Sequence, residues 1–357
     1  MHKKKILFVG GFKKSLKGST GGQVVACTTL LNSTLKDQYD WLLLDSTAPS
    51  NIIDPLYIRG WRAIKRLLKF FYFLSIKKVD KVLIFTGDGF SFWEKGTMAL
   101  LAKLFSKKVI LAPRSGFIID DMNAGGMLSK FIPFVLNKVD TIICQGESWK
   151  LFFQNLIADK SKCEVVKNWI NIDDIEYKEK SEDHLRILFL GWVDRQKGIL
   201  DLLQALSILK LLDNINIDIA GDGMAMDKSK EFVLTHHLSN VTFHGWVNGK
   251  KKNKLLQDAH IFILPSYAEG FPNSLLEAMA YGCACISTDV GSVNDLISHS
   301  VNGLLIKPGH VDSIVQNLEL LVNNRSFLDR IAIAGKESVV LNNSIHSAVL
   351  KFNRILN

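Results

Sequence analysis

Two carboxylates separated by seven residues, Glu269 and Glu277, lie in the segment of this 357-residue chain richest in candidate chemistry, PSYAEGFPNSLLEAMAYGCACISTDVGS (265–292). An apolar run at 261–264 predicts a strand that ends at Pro265, so the loop behind it carries Glu269 off the sheet. Gly270 allows close backbone approach to a ligand. Phe271 follows, and Pro272, Asn273 and Ser274 suit the start of a helix. A helix N-terminus directs unsatisfied N–H groups outward and is a ready site for a diphosphate. The amides of Ser274, Leu275 and Leu276 are the expected donors. Glu277, expected in the first helical turn, has two oxygens that accept hydrogen bonds from a cis-diol such as ribose. Glu269, eight residues earlier, reaches sugar hydroxyls beyond the phosphates.

Such a site needs a scaffold whose strands all end on one side. Short apolar runs at 6–9, 41–44, 82–85, 109–112, 141–144 and 164–166 alternate with helical patterns at 23–35, 93–105, 127–137 and 148–157. A polar stretch with eight charged side chains, NIDDIEYKEKSEDH (171–184), interrupts the alternation. It resumes with strands at 187–190, 215–220, 241–243, 261–264 and 284–287. Helices are predicted at 197–211, 226–236, 250–258, 274–281, 311–322, 325–341 and 344–356. The class is α/β, with two Rossmann-like domains whose parallel sheets face a central cleft. Ligands in such sheets bind at the carboxyl ends of the strands, and the cleft is the natural site. The expected division is an N-terminal domain at 1–172, a linker at 173–184, a C-terminal domain at 185–343 and a final helix at 344–357.

Composition narrows the function. A chain that is 47% hydrophobic and 22% charged is neither disordered nor a disulfide miniprotein. The five cysteines are scattered, and Cys283-x-Cys285 without nearby histidines is a poor zinc signature, so a reducing cytoplasm is expected. The apolar run at 6–9 is too short for an export signal. The stretch 67–76 contains Lys69 and is about half the length a membrane span needs. Charge is divided unevenly. Residues 1–180 hold 28 Lys/Arg against 17 Asp/Glu, while 181–357 hold 16 against 18. The basic half therefore points to a polyanionic partner. Within it, YIRGWRAIKRLLKFFYFLSIKKVDK (57–81) carries eight basic residues and one acidic one, interleaved with Trp61, Phe70, Phe71, Tyr72 and Phe73. That pattern describes a helix lying in the headgroup layer of an anionic membrane. Its alternative is a core helix whose charges face water. No nucleic-acid-binding motif is present, so nucleic acid is not an expected partner.

The order and spacing of several further blocks around EGFPNSLLE resemble the retaining glycosyltransferases of family 4, which have the GT-B fold and an E-x7-E signature and serve bacterial glycan assembly. These blocks are TGGQVVACTTL (20–30), FLGWVDRQKGILDLLQAL (189–206), IAGDG (219–223), VTFHGWV (241–247), DVGSVNDLI (289–297) and NGLLIKPG (302–309). The resemblance implies that Glu269 holds donor-sugar hydroxyls near the reacting face and that Glu277 binds the donor ribose. It implies that Lys197 contacts the diphosphate and stabilises charge on the leaving nucleotide. It also implies that Gly21 and Gly22 bring amides beside the phosphates or acceptor, and that the last helix returns to the N-terminal domain. Two departures stand out. Trp192 occupies a position where the family usually has Arg, with Arg195 as a candidate replacement. APRSG (112–116) stands where many members have His-Gly, so Arg114 supplies positive charge and no histidine there serves as base.

In transfer of this kind the departing phosphate oxygen takes the acceptor's proton, and catalysis rests on positioning and electrostatics. With no Asp-x-Asp and no His-Glu-x-x-His, neither a metal nor a cofactor is expected. Gly221-Asp222-Gly223 lacks the third glycine of a dinucleotide fingerprint. The expected function is retaining, metal-independent transfer of a hexosyl or N-acetylhexosaminyl group. The donor is a nucleotide-sugar, UDP-linked rather than GDP-linked. The acceptor is a lipid-linked saccharide of bacterial surface polysaccharide or lipopolysaccharide biosynthesis. The expected location is the cytoplasm, peripheral on the inner face of the cytoplasmic membrane. The alternatives are a GT-B epimerase or phosphorylase and a non-catalytic membrane scaffold. Trp192 suits a scaffold, whereas intact Glu269, Lys197 and Glu277 argue against one.

Overall fold

The computed structural model describes residues 3–13, 22–47, 54–180, 184–209 and 215–357. The chain forms two compact units, Met1–Trp169 with Ile345–Asn357, and Ile170–Ser344.

The first unit begins with β1 (Lys5–Gly10), α1 (Gly22–Leu31), α2 (Leu35–Gln38), β2 (Asp40–Asp45) and α3 (Leu56–Ile76). It continues with β3 (Lys81–Thr86), α4 (Gly89–Leu104), β4 (Lys108–Pro113), α5 (Ile118–Asn123) and α6 (Gly126–Lys138). It then adds β5 (Thr141–Cys144), α7 (Glu147–Gln154) and β6 (Cys163–Val165). The sheet order is β2-β1-β3-β4-β5-β6, with parallel pairing throughout. The central strands read as unbroken apolar runs because both faces are covered. Alternate residues serve opposite cores: Ile6, Phe8, Leu83 and Phe85 on one face, Leu7, Val9, Val82 and Ile84 on the other.

The second unit runs β7 (Leu185–Leu190), α8 (Ile199–Ile208), β8 (Ile215–Ala220), α9 (Met226–Thr235) and β9 (Val241–Gly245). Next come α10 (Gly249–Asp258), β10 (Ile261–Leu264), α11 (Asn273–Ala280), β11 (Ala284–Thr288) and β12 (Leu304–Ile306). Helices α12 (Val311–Asn323) and α13 (Arg325–Asn342) complete it. This sheet is also parallel, in the order β12-β11-β10-β7-β8-β9, around one apolar core. The terminal helix α14 (Ile345–Leu356) belongs to the first unit. There Phe352 packs against Phe85 and Trp169, and the Tyr39 hydroxyl donates to Asn353 Oδ1 at 2.7 Å.

Several predicted elements are revised. The stretch 173–184, expected as a linker, is built into the second unit as far as it is described. Ile175 is buried in that unit's core, Gln257 donates to the carbonyl of Glu176, and Lys180 Nζ donates to Gly282 O at 2.5 Å. Its charges face outward while one isoleucine anchors it, so charge content alone misread it. The helix expected from residue 197 instead opens as a 3-10 turn, Arg195–Lys197, and changes course at Gly198. The helix expected over 23–35 breaks after Leu31, where Ser33 Oγ donates to the carbonyl of Leu30. Strand β12 is three residues long, too short for an alternating pattern to reveal it.

Helix α3 buries one face and exposes apolar side chains on another. Ala63, Phe70 and Leu74 are buried, whereas Tyr57, Trp61, Ile64, Leu68 and Tyr72 form an exposed row at helical spacing. Lys65 and Lys69 lie over the rings of Trp61 and Phe73. Arg62 and Arg66 are engaged elsewhere, with Asp54 and Glu94 respectively. Among the described residues no helix is long and apolar enough to cross a membrane.

Candidate functional site

The candidate chemistry of the second unit gathers where β7 and β10 end. Lys197 Nζ donates to Glu269 Oε1 at 2.6 Å, and Ser266 Oγ donates to the same oxygen at 2.7 Å. The Glu269 side chain is only 7% exposed, so this carboxylate depends on its two donors. Each partner is fixed by local structure. The Lys197 amide donates to Asp194 Oδ1, which caps the 3-10 turn. The Ser266 carbonyl accepts from Thr288 Oγ1 at 2.5 Å.

Two glycines let the loops meet. Gly198 has φ +70°, and a Cβ there would lie 2.0 Å from the Pro265 carbonyl oxygen. The loop that carries Lys197 can therefore press against the loop that carries Glu269, and Tyr267 N–H donates to Gln196 O at 2.7 Å across the same contact. Gly291, φ +59°, plays the same part behind Glu269, where a Cβ would come within 1.9 Å of the Glu269 carbonyl oxygen. Only glycine tolerates both the dihedral and the approach.

Helix α11 starts at Asn273, with Pro272 as its cap residue. Glu277 therefore lies one turn in rather than in the first turn. Lys252 of α10 donates to Glu277 Oε1 at 2.6 Å. The expected donor Leu276 is corrected, because its amide donates to Pro272 O and closes the first helical turn. The amides of Ser274 and Leu275 lie before the first intrahelical bond, where a helix leaves N–H groups open. Phe271, Leu275 and Leu276 are buried and hold the turn in the core. The Gly270 carbonyl accepts from Ser292 N–H.

Trp192 is 37% exposed and packs against Trp246, with ring centroids 4.8 Å apart. Arg195 is exposed and makes no ion pair among the described residues, and its neighbour Gln196 accepts from Tyr267 N–H through its carbonyl. In the first unit Arg114 follows β4, and its Nη2 donates to Asn168 Oδ1 at 2.5 Å. Its guanidinium lies over the rings of Phe85 and Trp169. Gly22 opens α1, and Gly21 lies outside the described residues. Among the described residues no three His, Cys, Asp or Glu side chains stand together as a metal-binding group.

Sequence reasoning missed Ser266 and Lys252. Ser266 could have been found as the first polar residue past the strand, three residues before a candidate acid. Lys252 sits in the surface-like run GKKKNK, where nothing in the spacing singles out one lysine.

Residues 171–338 match the family described as glycosyl transferases group 1, which covers nearly all of the second unit. An uncharacterized glycosyltransferase of Methanocaldococcus jannaschii is 31% identical over 196 residues, 50% of each chain. A Campylobacter jejuni protein is 26% identical over 240 residues, 64% of each chain. Its name is N-acetylgalactosamine-N,N'-diacetylbacillosaminyl-diphospho-undecaprenol 4-alpha-N-acetylgalactosaminyltransferase. The chain thus spans about half the length of the first relative and under two thirds of the second. Among solved structures, Anabaena HepE in complex with UDP and glucose superimposes with a TM-score of 0.74 at 14% identity, over 99% of both chains. The architecture is the two-domain α/β GT-B fold.

Proposed function

We propose that this chain, whose second unit matches the glycosyl transferases group 1 family, is a retaining, metal-independent glycosyltransferase. It moves a hexosyl or N-acetylhexosaminyl group from a UDP-sugar to a lipid-linked saccharide of bacterial surface polysaccharide or lipopolysaccharide. The observation that carries this reading is the Lys197–Ser266–Glu269 cluster, one helical segment away from Glu277. UDP in the HepE complex supports the donor, and the diphospho-undecaprenol in the name of the Campylobacter relative supports a lipid-linked acceptor.

In this mechanism Glu277 exchanges Lys252 for the ribose diol, and Glu269 accepts from donor-sugar hydroxyls. The bond from the anomeric carbon to the phosphate oxygen breaks. The acceptor oxygen bonds to the same face of that carbon, and its proton passes to the departing phosphate oxygen. Lys197 and the open amides of α11 meet the charge that collects on the diphosphate, in the place a cation fills elsewhere. The exposed row on α3 and its lysines rest on an anionic membrane, and this keeps the protein peripheral on the cytoplasmic face.

The test is thermal stability of the full chain with UDP, GDP and UDP-sugars, with and without EDTA. Ligands that bind the native state raise the melting temperature. UDP should raise it, EDTA should change nothing, and Glu277→Ala should abolish the rise. A rise lost in EDTA would overturn metal independence. No rise with any nucleotide at millimolar concentration would overturn the donor site and favour a non-catalytic scaffold, the reading that Trp192 against Trp246 in place of an arginine suits. UDP release that requires no acceptor would indicate an epimerase.

A further inference from the structure

We propose that Thr288, the last residue of β11, is a positioning residue for the transfer reaction: acting through Ser266, its hydroxyl fixes the direction in which Glu269 meets the donor sugar. The brace itself follows from the contacts between these residues, and its service to a sugar rests on the glycosyltransferase reading above.

Thr288 and Ser266 are both fully buried. Thr288 Oγ1 donates to the Ser266 carbonyl at 2.5 Å, and Ser266 Oγ donates to Glu269 Oε1 at 2.7 Å. Lys197 Nζ meets the same carboxylate oxygen at 2.6 Å, so the direction of the carboxylate is set by where Ser266 and Lys197 stand. Thr288 is held from its other side. It pairs with Ile306 of β12, and the next amide, that of Asp289, donates to the Ile306 carbonyl at 3.0 Å. The chain that follows closes on the acid from behind. The Ser292 amide donates to the Gly270 carbonyl at 3.1 Å, and Gly291 lies so near Glu269 that a Cβ would come within 1.9 Å of its carbonyl oxygen. The segment 288–292 therefore grips the acid's loop at residues 266, 269 and 270.

The strand ladder cannot supply this grip. Pairing of β10 with β11 ends at Leu264 and Ser287. Ser266 lies two residues past that point, and the Thr288 hydroxyl carries the connection beyond the ladder. Threonine suits the task, because its β-branched side chain is stiff at χ1 and aims the hydroxyl. Ser287 provides the comparison. It is equally buried, and its Oγ donates to the Leu264 carbonyl at 3.0 Å, within the ladder. The two neighbours thus make the same kind of bond, one to the strand and one to the loop of the acid. A misplacement of about 1 Å can cost about 100-fold in rate, so the second bond bears on catalysis and the first does not.

The experiment assays the full chain for transfer from UDP-sugars to an undecaprenyl-diphosphate saccharide, and measures the melting temperature of every variant without ligand. Thr288→Val keeps the shape and loses the donor, so kcat should fall about 10- to 100-fold while the donor KM changes little. Thr288→Ser keeps a hydroxyl and should retain most of kcat. Ser287→Ala removes the matched bond, and should lower the melting temperature as Thr288→Val does yet leave kcat alone. Thr288→Ala repeats the test if the valine variant does not fold. In a Ser266→Ala background Thr288→Val should cost no further kcat, since Ser266 transmits the effect. An unchanged kcat in Thr288→Val, or an equal fall in Ser287→Ala, would leave Thr288 a purely structural residue and overturn the proposal. One arm needs no activity. The falls in melting temperature from Thr288→Val and Glu269→Ala should be less than additive in the double variant, because both break one chain of hydrogen bonds, while those from Ser287→Ala and Glu269→Ala should add. Additive falls for Thr288→Val overturn the brace. Falls that are less than additive, in a chain that transfers no sugar, leave the brace standing and overturn the glycosyltransferase reading.

Discussion

The two units solve the same problem of buried charge in opposite ways. In the second unit the candidate carboxylates are already paired with lysines, Glu269 with Lys197 and Glu277 with Lys252, each at 2.6 Å. In the first unit Lys95 and the inner nitrogen of Arg114 lack carboxylate partners. A ligand that offers hydroxyls and a diphosphate can exchange partners with the second unit, since diol and phosphate replace lysine and glutamate one for one. Both sheets are six-stranded and parallel, so this contrast arises from a few loop and helix positions and not from architecture.

The sharpest way to break the contrast is Lys197→Ala. It removes the cation proposed to stabilise the leaving group, and kcat should fall about 100- to 1000-fold. Steady-state rates with UDP-sugars and an undecaprenyl-diphosphate saccharide check this, and an unchanged kcat would confine Lys197 to a structural role. Next in size is the membrane effect. Lys65→Glu with Lys69→Glu reverses two charges of α3 that make no ion pair among the described residues, without stranding the buried Glu94, and each basic residue near an anionic surface contributes about 1 kcal/mol. Co-sedimentation with phosphatidylglycerol vesicles should weaken at least about 10-fold, while neutral vesicles show no difference. Equal retention would remove α3 from the membrane surface. The smallest effect is expected from Trp192→Arg, which adds a guanidinium near the proposed diphosphate position. Affinity for UDP should rise about 3-fold, in line with one exposed charge-assisted contact. Isothermal titration reads this directly, and a weaker affinity would mean that the Trp192–Trp246 pair itself serves the nucleotide.

Much of this was legible in the sequence for identifiable reasons. Strands buried on both faces appear as apolar runs, so 141–144, 215–220 and 261–264 were readable to the residue. Glu269, Gly270, Pro272 and Glu277 announce themselves because a turn, a helix start and two acids fall within nine positions. Lys252 did not. It lies on a helix among other lysines, and its significance is the identity of its neighbour across the fold.

The amino-acid sequence by itself determined the alternating α/β elements, the two-unit organisation and the acids of the second unit, because these follow from local periodicity, turn chemistry and spacing. Tertiary structure alone decided which charges are satisfied. It gave Glu269 to Lys197 and Ser266, gave Glu277 to Lys252, turned one face of α3 outward, and left Arg114 Nη1 buried with no hydrogen-bond partner among the described residues. Partner choice of this kind depends on distances of a few ångströms between segments tens to hundreds of residues apart, and Coulomb and desolvation energies depend on those distances rather than on residue order.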